Sequence, residues 1–322
     1  MLTRFVVCGK YLAVPLRDAI LPPYTSKVVK SAVLRCASLK LFRKVYQELG
    51  PGIKPFSMTP LFRGSRPLFK EQGSSVAPLY VRSGEELWFR VCAVCSAENL
   101  DEAPPGDEVV ELGPYGIFRF VLSELEVVDI RSLTLGLSGD RVFVRIRFLT
   151  PTLLSTKLMA PPLPHFLKRV ANIQERYVLF PSPSHLCSYL VKLWNTVAPE
   201  EPVSRKVSPE WAAYFVGRLC GVAMVVVDYR SRPITVLYDE KEGVSRRPRG
   251  FVGWALYEVN TRKLVKILDR ALALANYLGV GKSRSIGFGV VTAEKVEPSR
   301  SREAYHSPEP GSSTASLYTN YL

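Results

Sequence analysis

The chain has 322 residues, long for one compact domain and comfortable for two. Apolar residues make up 47% of it, so each half can bury a core, and disorder throughout is excluded. Lysine and arginine outnumber aspartate and glutamate by 43 to 29, a net charge of +14, which favours a polyanionic partner: nucleic acid before an anionic membrane surface. No run approaches the ~18 apolar residues of a membrane span. Arg4 and Lys10 interrupt the apolar start, which therefore reads as a first strand of a cytoplasmic protein and not as a leader.

Residues 2–8 read as a buried strand. Residues 26–49 read as one helix, with Val29, Ala32, Val33 and Cys36 on one face and Gly50-Pro51-Gly52 ending it. Strands are expected from Lys54 to Phe62, near 77–82 and over 87–95. The acidic, proline-rich stretch 98–111 reads as a solvated loop, followed by strands at 115–122 and 125–133. Glycines 136 and 139 mark a connection between two halves. The second half opens with RVFVRIRFL, where Val142, Val144, Ile146 and Phe148 alternate with Phe143, Arg145 and Arg147. A helix is expected over 184–197, capped by Ser184, and another from Pro209. Strands fit 222–228, 234–239 and 250–259. A helix over 261–278 carries an apolar stripe of Leu264, Ile267, Leu268, Ala271, Ala275 and Leu278, between a Thr261 cap and a Gly279 stop. A last strand fits 286–296, and from Pro298 the composition is that of a disordered tail.

Each half approximates the order β-α-β-β-α-β, although the second helix of the first half is not visible. The expected fold is α+β: two tandem ferredoxin-like (RRM-like) domains over 1–135 and 140–297, with a C-terminal Gly-rich loop and a tail over 298–322. RNA-binding domains share this architecture, but a fold alone does not establish function. Of six cysteines only Cys92 and Cys95 are close, and a lone CxxC inside the apolar run LWFRVCAVCS is a weak zinc signal. Buried small side chains are the default, so neither a metal nor a cofactor is expected. Sparse asparagine and glutamine fit a heat-adapted chain.

The segment LGVGKSRSIGFGVV follows the clearest helix. Gly279, Gly281, Gly287 and Gly289 bracket Lys282, Ser283 and Arg284. Glycines let backbone amides approach phosphates, and interleaved cations neutralise them. A P-loop is excluded twice: Asn276 stands where its first glycine belongs, and this loop leaves a helix for a strand rather than the reverse.

A glycine loop between the last helix and last strand, ending S-x-G-F-G, resembles the C-terminal signature of CRISPR repeat-processing endoribonucleases of the RAMP superfamily. FLTPTLL, FPSPSHLCSYLVKLWN and RGFVGWALYEV are similar to second-domain segments of archaeal members; PPYTSKVVKSAVL and GIKPFSMTPL are similar to the first-domain helix and strand. The resemblance spans residues 1–296. It implies a metal-independent cut in CRISPR repeat RNA. The 2′-hydroxyl attacks the adjacent phosphate, leaving a 5′-hydroxyl and a 2′,3′-cyclic phosphate. The protein would hold the in-line geometry and stabilise developing charge.

Many members of that family carry a histidine before the Gly-Pro turn. Here the stretch is Val45-Tyr46-Gln47-Glu48-Leu49, and His165, His185 and His306 lie elsewhere. The resemblance then assigns the chemistry to clustered cations: Lys27, Lys30, Lys54, Arg247 and Arg284. Lys54 or Arg284 would stabilise the phosphate charge, and Lys27 or Lys30 would protonate the leaving 5′-oxygen. RNA binding is assigned to Arg35, Arg145, Arg147, Arg246, Gly279, Gly281, Lys282, Ser283, Gly287 and Gly289; Tyr24, Arg35 and Tyr46 are weaker candidates for the chemistry, and the strand face with Arg145 and Arg147 reads equally as one covered by a helix. The competing reading of these cations is a solvated helix face and a surface turn. Expected partners are the repeat RNA, other CRISPR effector subunits and a second copy of the chain. Two alternatives stay open: a non-catalytic RAMP subunit holding guide RNA, and an RNA-binding protein with no repeat preference.

Overall fold

The computed structural model describes residues 3–50, 52–73, 78–99, 106–163, 174–241 and 244–297. The expected tail, His165 and His306 lie outside these.

In the first half, β1 (Arg4–Pro15) is followed by α1 (Ser26–Arg35) and α2 (Lys40–Gln47). Next come β2 (Phe56–Met58), β3 (Phe62–Arg63), β4 (Leu87–Ser96), β5 (Asp107–Glu111) and β6 (Ile117–Asp129). β1 lies between β4 and β6, β2 and β3 pair with β4, and β5 hangs on β6, all antiparallel. Counting β2 and β3 as one broken strand, the order is second, third, first, fourth, which is ferredoxin-like. Among the described residues only single 3₁₀ turns and β5 stand where the second helix would be.

The expected single helix over 26–49 is two. Cys36 is extended, and the Glu108 carboxylate accepts from the Ala37 and Ser38 amides at 3.0 and 2.9 Å. A carboxylate from a distant strand thus caps the turn that starts α2, a signal with no local trace. Glu108 belongs to β5, so part of the stretch read as a solvated loop is an edge strand. The two strands expected over 115–133 are one. The register slips between Lys10 and Tyr11, so Ser123 is the extra residue of a bulge, its hydroxyl bonded to the Lys10 carbonyl at 3.0 Å.

The second half runs β7 (Val142–Thr152), α3 (Pro183–Val197), α4 (Pro209–Ala223), β8 (Met224–Thr235), β9 (Arg249–Val259), α5 (Arg262–Leu278) and β10 (Val291–Val296). The strand order β8-β9-β7-β10 repeats the first half's. The strands expected at 222–228 and 234–239 differ from this: β8 is continuous to Thr235 across a bulge near Val226. The cap of α3 is Ser182, because Pro183 already occupies the first helical turn. Thr261 holds the cap position of α5 without a side-chain hydrogen bond. β10 starts at Val291, not 286, because 284–286 form a 3₁₀ turn.

Alternation on β1 explains how the halves join. Val7, Tyr11 and Ala13 face α1 and α2. Val6 and Cys8, with Cys92 and Val94 of β4, share one core with α3, α4 and α5. The first sheet is therefore buried on both faces, and α5 is buried well beyond its predicted stripe, including Val265, Leu272 and Leu274. Arg90 donates to the Asn276 carbonyl at 2.6 Å, and Ser57 Oγ to that of Tyr277 at 2.8 Å. Cys92 forms a disulfide with Cys8 on the neighbouring strand, while Cys95 is buried on the opposite face. Residues three apart in a strand point to opposite sides, so the CxxC pair shares no site. A second disulfide, Cys187–Cys220, joins α3 to α4; all six cysteines are buried, and Cys36 and Cys95 are the two outside disulfides. Among the described residues no helix is long and apolar enough to cross a membrane.

Candidate nucleic-acid interface

The glycine loop is set by its own packing. A Cβ on Gly289 would stand 1.8 Å from the Val280 carbonyl oxygen, and one on Gly279 2.4 Å from that of Gly289, both at positive φ. A Cβ on Gly281 would meet the Leu153 oxygen at 2.8 Å, and one on Gly287 would meet Ser26 Cβ at 2.7 Å. Loop amides are correspondingly engaged inside the protein: Val280 to Gly289, Lys282 to Leu153 and Gly289 to Pro151. The glycines expected to open amides toward phosphate instead let the loop fold back on itself, on the end of β7 and on the start of α1.

Two contacts tie Ile286 and Gly287 of the loop to the start of α1. Ser26 Oγ donates to the Ile286 carbonyl at 2.7 Å and the Tyr24 hydroxyl to that of Gly287 at 2.8 Å. Tyr24, Phe288, Tyr238 and Val236 form a small separate core there. Tyr24 is fully buried, so it is part of the joint and not of an RNA-facing surface.

Beside this joint lies a cavity of about 560 Å³ whose walls come from both halves. Lys54 and Tyr46 approach from the first. Lys157, Lys192, Arg246 and Lys282 approach from the second. Glu175 is the one carboxylate on the described wall. Lys282 Nζ lies 2.6 Å from its carboxylate, and Ser155 Oγ donates to it at 2.7 Å. The Lys282 hydrogen bond holds the Glu175 carboxyl below its ordinary range, against a smaller opposing effect of burial. Cations in excess around one cavity, with aromatic rings among them, suit a phosphodiester backbone.

Of the expected residues, Lys54, Arg246, Gly281, Lys282, Ser283 and Arg284 line this cavity. Lys27 and Lys30 stand at its edge. Lys27 Nζ is 5.5 Å from the Tyr238 ring, which Arg246 approaches at 5.3 Å, and Lys30 Nζ is 6.0 Å from Tyr46. Lys54 sits in the turn before β2, not in a strand. Arg247 is exposed next to Arg246 and outside the lining.

Others lie elsewhere. Arg35 donates to the Glu111 carbonyl at 2.9 Å, beyond the far end of α1. Arg145 and Arg147 occupy the sheet face opposite the buried Val144 and Ile146, within 3.9 and 3.6 Å of Glu294. Arg284 is 4% exposed and bonded on three sides: to the Tyr189 hydroxyl, the Leu278 carbonyl and the Lys54 carbonyl. It joins the two halves in place of the open phosphate contact expected of it.

His185, at the start of α3, is 2.9 Å from Ser182 Oγ and outside the cavity. Burial pushes its pKa down. Sequence reading missed Lys157, Lys192, Glu175 and Tyr189. Lys192 left a trace, as the only lysine of α3, set between buried Val191 and Leu193. The other three come together only through folding.

The Cas6 N-terminal domain model matches residues 7–128, and the model for the CRISPR-associated endoribonuclease Cas6 matches residues 146–291. Two proteins of Saccharolobus solfataricus, CRISPR-associated endoribonucleases Cas6 1 and Cas6 2, are 26% and 27% identical over 291 and 293 residues, covering 89% of this chain and 96% of each relative. The solved structure of Thermus thermophilus Cas6 matches with a TM-score of 0.55 at 18% identity, over 91% of this chain and 99% of that one, and supports the fold. With one family model on each sheet and relatives matched nearly end to end, the chain belongs to the Cas6 family.

Proposed function

We propose that this chain binds CRISPR repeat RNA across the interdomain cavity and cuts it there. The observation that carries this reading is the convergence of Lys54, Lys157, Lys192, Arg246 and Lys282, from both halves, on one cavity beside the glycine loop. The family relationship supplies the substrate class.

The reaction is a transesterification within the RNA. The 2′-oxygen forms a bond to the adjacent phosphorus as the bond from phosphorus to the 5′-oxygen breaks. The 2′-hydroxyl proton leaves to a base, and the departing 5′-oxygen gains a proton. The protein's work is to hold the line of attack and to offset charge on the phosphorane. Lys54 and Arg246 are the cations placed for the phosphate. Lys27 and Lys30, at the cavity edge, are the groups for proton movement. Lys157, Lys192 and Lys282 would hold flanking phosphates. Domains over 1–135 and 140–297, a cytoplasmic site of action, and contacts with other CRISPR subunits or a second copy belong to the same reading.

The test is incubation with end-labelled repeat RNA in EDTA, beside RNA carrying one 2′-deoxy nucleotide at the cut. A single cut blocked by the deoxy substitution is expected. Tight binding with no cut would overturn cleavage and leave a guide-binding subunit.

A further inference from the structure

We propose that Arg284 and Tyr189 are positioning residues, which clamp the main chain at Lys54 and so set where its ammonium stands in the cavity. The proposal rests on reading that cavity as the cleavage site.

Lys54 lies in a turn outside any helix or strand. On one side the chain is held by its own sheet, where the Pro55 carbonyl accepts from the Val94 amide at 2.8 Å. On the other side the Lys54 carbonyl accepts from Arg284 Nη2 at 2.6 Å, across 230 residues of sequence. Arg284 is in turn fixed at two more points: Nη1 donates to the Leu278 carbonyl at the end of α5 at 2.7 Å, and Nε to the Tyr189 hydroxyl of α3 at 2.5 Å. Its guanidinium also stands 5.8 Å from the Tyr189 ring centroid.

One planar fork thus ties α3, α5 and the Lys54 turn together. Lysine's three N–H donors radiate from one nitrogen and cannot span acceptors that the guanidinium meets with three separate nitrogens. Ser283, just before it, holds a left-handed φ of 63°, the only non-glycine among the described residues to do so. Strain of that kind persists where surroundings over-determine it and clusters at functional sites. Arg284 therefore faces inward and acts through Lys54, while Lys282 faces the cavity.

The experiment measures single-turnover cutting of repeat RNA, with protein in saturating excess, for wild type, Arg284→Lys, Tyr189→Phe, Lys54→Ala and Arg284→Lys/Lys54→Ala. Affinity is read with the uncleavable 2′-deoxy RNA. Hydrogen exchange of residues 52–58 is read on RNA-free wild type, Arg284→Lys and Tyr189→Phe.

Arg284→Lys is expected to cut about tenfold or more slowly, since small misplacements cost that much, with affinity within about twofold. Paired with Lys54→Ala it should add nothing further, because both act through one group. Exchange over 52–58 should quicken. Tyr189→Phe, which loses one hydroxyl, should move rate and exchange the same way by less, and it carries the test if Arg284→Lys fails to fold.

Wild-type cutting and exchange in Arg284→Lys would overturn the clamp. So would losses that multiply with those of Lys54→Ala. A fall in affinity matching the fall in rate, with exchange unchanged, would make Arg284 a phosphate contact instead. If wild type itself does not cut, the cleavage reading fails, and the exchange comparison still decides whether the clamp exists.

Discussion

Tyr24 lies flat against Phe288, ring centroids 4.6 Å apart and planes within 10° of parallel, and its hydroxyl donates to the Gly287 carbonyl at 2.8 Å. A residue just ahead of α1 is thereby fastened to a loop 263 positions later. Burial pushes its phenol far above the ordinary range, so it stays a neutral donor. The cavity walls meet along this joint.

Tyr24→Phe should cost about 1–3 kcal/mol, because it leaves a buried carbonyl unpaired. Tyr24→Ala should cost about 3–5 kcal/mol, as emptied aromatic sites do. Urea denaturation reads both. An alanine variant as stable as wild type would contradict the joint.

Gly289→Ala should unseat the loop. Its Cβ would fall 1.8 Å from the Val280 oxygen at a φ of +65°, and the neighbour is main chain that cannot swing away. A left-handed alanine alone costs about 1–2 kcal/mol, and the clash adds to it. Gly50→Ala is the control, since a Cβ there would meet nothing within 4 Å, and should stay within about 0.5 kcal/mol. Melting curves of the two variants separate the cases; equal shifts would refute the packing account.

Phosphate contact in the cavity predicts a salt signature. Each lysine removed from a single-stranded contact lowers the slope of log affinity against log salt by about 0.7. Lys157→Ala/Lys192→Ala should therefore flatten the slope by about 1.4. Arg35→Ala, whose guanidinium is bonded to the Glu111 carbonyl away from the cavity, should not change it. Binding titrations across a salt series check both. An Arg35 effect equal to that of the lysines would relocate the interface.

His185 makes a pH prediction with a definite sign. Burial lowers its pKa in the folded chain below that of the unfolded chain, about 6.5. The unfolded state then binds more protons between those two values, so stability is full above about pH 6.5 and falls as pH drops toward the folded value. His185→Asn should flatten that part of the stability-pH curve and leave the cutting rate unchanged. A large loss of cutting would make His185 a participant in the chemistry.

Much of the second half is legible in the sequence because its helices and strands carry their own signals. α5 has an apolar stripe and a glycine stop, and β7 alternates Val142, Val144 and Ile146 with Phe143, Arg145 and Arg147. The first half is less legible where distant groups decide local structure. The Glu108 carboxylate breaks 26–49 into two helices, and the Ser123 bulge keeps β6 whole. The same holds at the site. Lys27, Lys30, Lys54, Arg246 and Lys282 can be singled out as cations in family-like segments. Lys157, Glu175 and Tyr189 cannot, because nothing in their neighbours marks them.

The two-sheet architecture, the basic character and the family are legible along the chain, since periodicity, charge and the spacing of glycines are properties of residues read in order. What the parts of the loop do follows from long-range packing. Whether Arg284 faces a phosphate or the Lys54 carbonyl depends on where α3, α5 and the first sheet meet. That meeting is set by packing between residues 95 to 230 positions apart, which no local pattern encodes.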